Sequence, residues 1–152
     1  MSASARIIHL CVGLEGAPAL QREPRNEVEF IEGKGILGDK KFGKSSSRHV
    51  NLISEQSYAW FKASFGRELR APGGFAEQVV ISRGIDINWL PLGARLQVGE
   101  AVLELVKPRQ PCMHFASSVG APSEELFVGH VGIMCRVIKG GEAKVGDAVL
   151  VV

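Results

Sequence analysis

Glycine and proline interrupt this chain 18 and 7 times in 152 residues. Most apolar runs between them are long enough for a strand and too short for a helix. ARIIHLCV over 5–12, NEVEFI over 26–31, RHVNLIS over 48–54 and AEQVVIS over 76–82 read as strands. So do ARLQV and AVLELV, joined through Gly99-Glu100 as a hairpin with glycine in the first turn position. VGIMCRVI over 131–138 and DAVLVV over 147–152 close the chain around a Gly140-Gly141 turn. One clear helix is expected, EQSYAWFKASF over 55–65, with Ser54 to cap it and Gly66 to stop it. PSEELF over 122–127 has room for one or two helical turns, and KPRQPCMHF over 107–115 reads as a proline-braced loop. Many short strands with few helices predict a mainly β barrel or sandwich-like architecture rather than a doubly wound sheet. At this length a single domain over 1–152 buries a core without staples.

Composition excludes more than it specifies. A net charge of +2 is too small to imply nucleic-acid binding by itself. The N-terminal MSASARIIHLCVG carries an apolar run too short for a bilayer span or a secretory signal. Three widely spaced cysteines do not read as a disulfide framework. No membrane association, no nucleic acid and a reducing cytoplasm are therefore expected.

The run GKGILGDKKFGKS over 33–45 matches two nucleotide motifs at once. Gly33, Gly35 and Gly38 fit a dinucleotide fingerprint, while Gly38, Gly43, Lys44 and Ser45 fit a P-loop. Both patterns must open a helix, because its N-terminal amides hold the phosphates. Here three serines lead straight into the strand-like RHVNLIS, so neither motif stands. What remains is a glycine-rich connection carrying Lys34, Lys40, Lys41, Lys44 and Arg48. Such a loop is either a solvated basic segment or a cradle of amides and positive charge for an anion.

Cys11 and Cys135 lie in apolar strands and read as small buried hydrophobes. Cys112 instead follows Pro111 in a loop, with Lys107, Arg109 and His114 near it in sequence. Neighbouring cations favour the thiolate, the form that attacks electrophiles, carries sulfur or ligates a soft metal. The P-C-x-x-C of a zinc deaminase, the paired ligands of a structural zinc and the C-x-x-C of redox disulfides are all missing. The residues leave Cys112 between a reactive lone thiol and a quietly buried one.

In order along the chain, GILGDKKFG, RHVNLIS, PGGFAEQVV, GIDINWLPLGARLQVGEAVLEL, PRQPC and GIMCRVIKGGEAKVGDAVLVV resemble the MOSC family, over Glu32 to Val152. These domains occur at the C-terminus of molybdenum cofactor sulfurases and as small stand-alone bacterial proteins. The resemblance implies a β-barrel with a few short helices. It also implies that Cys112 is the functional cysteine, ligating molybdenum of the molybdenum cofactor (molybdopterin) or carrying persulfide sulfur. Some relatives reduce N-hydroxylated compounds, which implies a small-molecule substrate and an electron-donor protein, or a cysteine desulfurase as partner for sulfur transfer. Lys40 and Arg48 become candidate contacts to the pterin's phosphate. Glu77 becomes a candidate acceptor for its amino-type donors, or a residue that merely holds its own loop. Arg109 and His114, flanking Cys112, complete the expected cofactor-binding set. Two positions depart from the family pattern: Lys41 where a histidine is common, and Gln78 where asparagine is usual. Lysine ordinarily keeps its proton, so Lys41 is not expected to relay one.

Overall fold

The computed structural model describes residues 4–152. Eleven strands run in chain order: β1 (Ser4–Val12), β2 (Glu23–Arg25), β3 (Glu27–Ile31), β4 (Gly35–Ile36), β5 (Val50–Ser54), β6 (Val79–Ile81), β7 (Arg95–Val98), β8 (Ala101–Pro108), β9 (Ile133–Lys139), β10 (Gly141–Lys144) and β11 (Ala148–Val151). Two short helices, α1 (Glu55–Phe65) and α2 (Met113–Ser118), interrupt them. Seven strands close a barrel in the order β11-β7-β8-β9-β5-β6-β1, with β11 paired back onto β1. Closure leaves no bare edge in the ring, the usual solution for a sheet of many short strands. β2 extends the sheet from β1, and β10-β3-β4 form a second, three-stranded sheet that packs against β8 and β9.

One pairing in the barrel is parallel, β5 with β6, and it is the one that a helix must bridge. The crossover is α1. Its start and stop follow the expected chemistry: the Ser54 side chain accepts from Gln56 N, and Gly66 ends it in the left-handed region at φ 70°.

A bulge in β1 builds two cores from one strand. Between Ile7 and His9 the register shifts, so Ala5 and Ile7 face the barrel interior before the bulge and Leu10 and Val12 face it after. Ile8 is thereby turned to the outer face. The inner core is aliphatic, built around side chains such as Leu52, Val79, Leu103 and Leu105. The outer core is aromatic: Phe61, Phe75, Phe115 and Phe127 pack with Trp60 and Tyr58 between α1, α2 and the barrel wall. Phe115 meets Phe127 edge-on at 5.0 Å and stacks on Phe75 at 5.6 Å. Burying each such ring contributes about 2–3 kcal/mol, and here the rings also moor α2 and the 70–76 loop.

Each expected strand forms with its ends moved by one to three residues: β3, β5, β6, β7 and β11 are shorter, β1 and β8 longer, and β9 is shifted toward the C-terminus. β2, β4 and β10 lie outside the expected strands; β10 begins at Gly141, so the expected Gly140-Gly141 turn leads directly into a strand. The 107–115 segment is not loop throughout. β8 runs on to Pro108, and α2 starts immediately after Cys112. No helix follows Lys44-Ser45; β5 comes next, so the glycine run does not open a helix as either nucleotide motif requires.

Candidate functional site

The Gly-Asp loop is organised by a buried carboxylate. Asp39 accepts from Gly13 N at 2.7 Å through Oδ1 and from Lys41 N at 3.1 Å through Oδ2. It ties the loop to the turn after β1 and fixes where Lys41 leaves the backbone. Further along, His49 anchors the other end. Its Nδ1 accepts from Val137 N at 3.0 Å, so Nε2 carries the proton and donates to Ser45 O at 2.9 Å. Burial holds this imidazole below the ordinary histidine pKa, with Arg136 acting in the same direction and the Ser45 bond against it.

Between this loop and the end of β8 lies a cleft of about 360 Å³. Lys41, Lys44 and Arg48 line it from the loop, and Lys107 and Arg109 from β8 and the residue after it. Lys107 arrives there because β8 and β9 shift register between Leu105 and Lys107, which breaks the strict alternation that buries Leu103 and Leu105. No carboxylate lines the cleft. One lining cation has an acidic partner outside it, Lys44 to Glu15 at 2.6 Å, an exposed pair of small worth.

Arg109 is the most constrained member. Its backbone N–H donates to Gly132 O at 2.9 Å, and its guanidinium to Phe75 O and, at 3.5 Å, to Val131 O. Burial, and then the Arg22 charge, lower its pKa; Glu77 and Cys112 act the other way. Lys41 is half-buried, and burial, then Arg109 and Arg22, bring its ammonium down to about 8. Lys41 therefore titrates closer to neutrality than an ordinary lysine, while still carrying its proton for the most part at pH 7.

Past Gln110 the chain leaves the cleft wall and reaches Cys112. Of the three cysteines it alone is exposed, while Cys11 and Cys135 are buried. Burial, and to a lesser extent the Glu77 charge, push the Cys11 thiol up to about 12, and burial raises that of Cys135 as well. Both are inert hydrophobes. Cys112 Sγ accepts weakly from Phe115 N at 3.4 Å as the cap of α2.

The remaining candidates are dispersed. Arg48 and Arg109 lie in the cleft lining, whereas Lys40, Glu77 and His114 do not. Lys40 Nζ donates to Ala19 O at 2.7 Å, and His114 is exposed on α2. Glu77 is wholly buried, and its carboxylate accepts from Gly73 N at 2.8 Å, Phe75 N at 3.0 Å and Tyr58 OH at 2.5 Å. Gln78, also wholly buried, accepts from Asn51 N through Oε1 at 2.8 Å, while its Nε2 and Asn51 Oδ1 lack a partner. Arg22 is a further buried cation: it donates to Ala19 O and Gln21 O and keeps an unpaired Nε. Nothing in its local sequence distinguishes it from a surface arginine. Among the described residues, no group of three or more His, Cys, Asp or Glu is placed to hold a metal ion, and no helix is long and apolar enough to cross a membrane.

The fold has solved counterparts. YuaD from Bacillus subtilis superposes with a TM-score of 0.85 at 18% identity, over 99% of this chain and 97% of its own. YiiM from Geobacillus stearothermophilus gives 0.74 at 19% identity, over 97% of this chain and 75% of that one. YiiM from Escherichia coli gives 0.73 at 19%, over 97% and 69%. Among curated proteins no sequence matches it. The MOSC domain family model matches residues 39–150, from the Asp39 that organises the loop to the strand that closes the barrel. This chain belongs to the MOSC domain family.

Proposed function

We propose that this protein binds the molybdenum cofactor through Cys112 and the cationic cleft, and acts as an oxidoreductase on N-hydroxylated small molecules. One observation carries the reading: five cationic side chains line a cleft without a carboxylate, and the chain leaving its wall presents the one exposed thiol two residues later. A phosphate-bearing pterin with a soft metal needs an anion cradle and a sulfur ligand, and these residues fit both. Lys41, Arg48, Lys107 and Arg109 would hold the phosphate, and Cys112 would hold the metal. When bound, the group supplies the electrons that cleave an N–O bond, received from a separate electron-donor protein. Cys112 orients by capping α2, which the aromatic core moors. Arg109, tied to Phe75 O and Gly132 O, keeps the cleft wall in register with that cap.

The test is elemental analysis of protein purified from a host that makes the cofactor. Wild type is expected to carry molybdenum and Cys112→Ser to lose it. Metal-free wild type from such a host overturns the reading. The same exposed thiol suits a second reading, a sulfur carrier. A desulfurase persulfide would pass its terminal sulfur to Cys112, regenerating the desulfurase thiol and leaving Cys112 as the persulfide. Intact mass after incubation with a cysteine desulfurase decides it, because an unmodified Cys112 excludes this route.

A further inference from the structure

The cleft gathers five cationic side chains with no carboxylate in its lining. Its cations come from two separate elements, each anchored through its backbone: Asp39 Oδ2 accepts from Lys41 N and Gly132 O from Arg109 N. We propose that Lys41 is the proton-exchanging cation of this cleft, taking up a proton as a tetrahedral dianion of the phosphate class enters. The proposal rests on the reading of the cleft as an anion site and deepens it, assigning the response to pH to one residue.

The surroundings of Lys41 single it out. The guanidinium groups of Arg109 and Arg22 keep their protons throughout the neutral range. Lys44 is engaged by Glu15, and Lys107 approaches from β8. Lys40 turns away to Ala19 O. Asp39 favours the charged form of Lys41, but burial and the facing arginines outweigh it and bring the ammonium down to about 8. An arriving dianion reverses that balance, because an opposite charge at short range favours the protonated amine. Binding must then draw in a proton wherever free Lys41 is partly neutral, and affinity must fall as pH rises past 8.

The experiment is titration calorimetry of the full chain, purified without cofactor, with inorganic sulfate, which takes up no proton itself. Runs in buffers of different ionisation enthalpy read the protons taken up. About half a proton per sulfate is expected at pH 8, with Kd about tenfold weaker at pH 9 than at pH 7. Lys41→Arg should abolish the uptake and flatten the profile while still binding. Lys41→Met should bind weakly at pH 7 with an equally flat profile. Uptake that persists in Lys41→Arg, or sulfate binding by wild type without uptake, overturns the proposal. Failure of sulfate to bind at any pH overturns it too, whereas the reading of the protein as a molybdenum enzyme fails separately, on metal content.

Discussion

Replacing Glu77 by glutamine changes one carboxylate oxygen for an amide and leaves the shape of the side chain nearly intact. The native carboxylate serves three donors: Gly73 N and Tyr58 OH share Oε2, and Phe75 N takes Oε1. A glutamine has one oxygen, so in either rotamer its NH₂ is set against a backbone N–H that has no other acceptor. Hydrogen bonds to a charged group contribute about 1.5–3 kcal/mol each, and an orphaned buried donor costs about 1–3 kcal/mol. Tyr58 recovers part of this, because its hydroxyl oxygen can accept from the new amide. The expected loss is about 2–4 kcal/mol, which lowers Tm by roughly 4–16 °C in a domain of this size. Because Phe75 O is an acceptor for Arg109, the loop's shift should also reach the cleft and weaken sulfate binding. Urea unfolding of cofactor-free protein, followed by fluorescence of Trp60 in the adjoining aromatic core, measures the first effect. A loss below about 0.5 kcal/mol, under one neutral hydrogen bond, would refute the claim that this carboxylate is committed to its own loop.

Gly132 sits at φ +96° with Asn51 Oδ1 and Leu52 O only 2.5 and 2.6 Å from where a Cβ would stand. Gly132→Ala is therefore expected to cost about 2–4 kcal/mol and to weaken anion binding through Arg109, read by thermal melting and sulfate calorimetry. His49 gives a pH dependence. Its folded pKa lies below the ordinary 6.5, so its stabilisation is complete above 6.5 and is lost as pH falls below that value and the unfolded chain binds the proton first. His130, stacked on Trp60 at 3.7 Å and also lowered by burial, adds in the same direction. His49→Gln should be less stable at pH 7.5, and its stability should fall less steeply between pH 6.5 and 5, in urea melts across that range.

Local chemistry was enough to place the helix. Ser54 and Gly66 bound α1 in sequence and in structure alike, because capping depends on residues within one turn of each other. Short alternating runs likewise marked most strands of the barrel, since burial of one face imposes period two. The start of β10 was hidden in Gly-Gly, and α2 in a proline-rich stretch, because their formation depends on partners distant in the chain. β10 pairs with β3 from Gly141↔Phe30 to Lys144↔Glu27, and α2 is moored by Phe115 against Phe75 and Phe127.

By itself, then, the sequence determined a mainly β chain, the helix that bridges β5 to β6, the family, and the contrast between Cys112 and two apolar-strand cysteines. Only the tertiary structure decided which cations converge. Lys41, Lys44 and Arg48 face one cleft with Lys107 and Arg109 because a register shift late in β8 turns that strand's end toward the loop. Only the fold, too, commits the Glu77 carboxylate to three donors of its own surroundings. It also lowers the Lys41 ammonium to about 8. Both are effects of burial and long-range charge, which depend on what surrounds a side chain in space and leave no local signature in the order of residues.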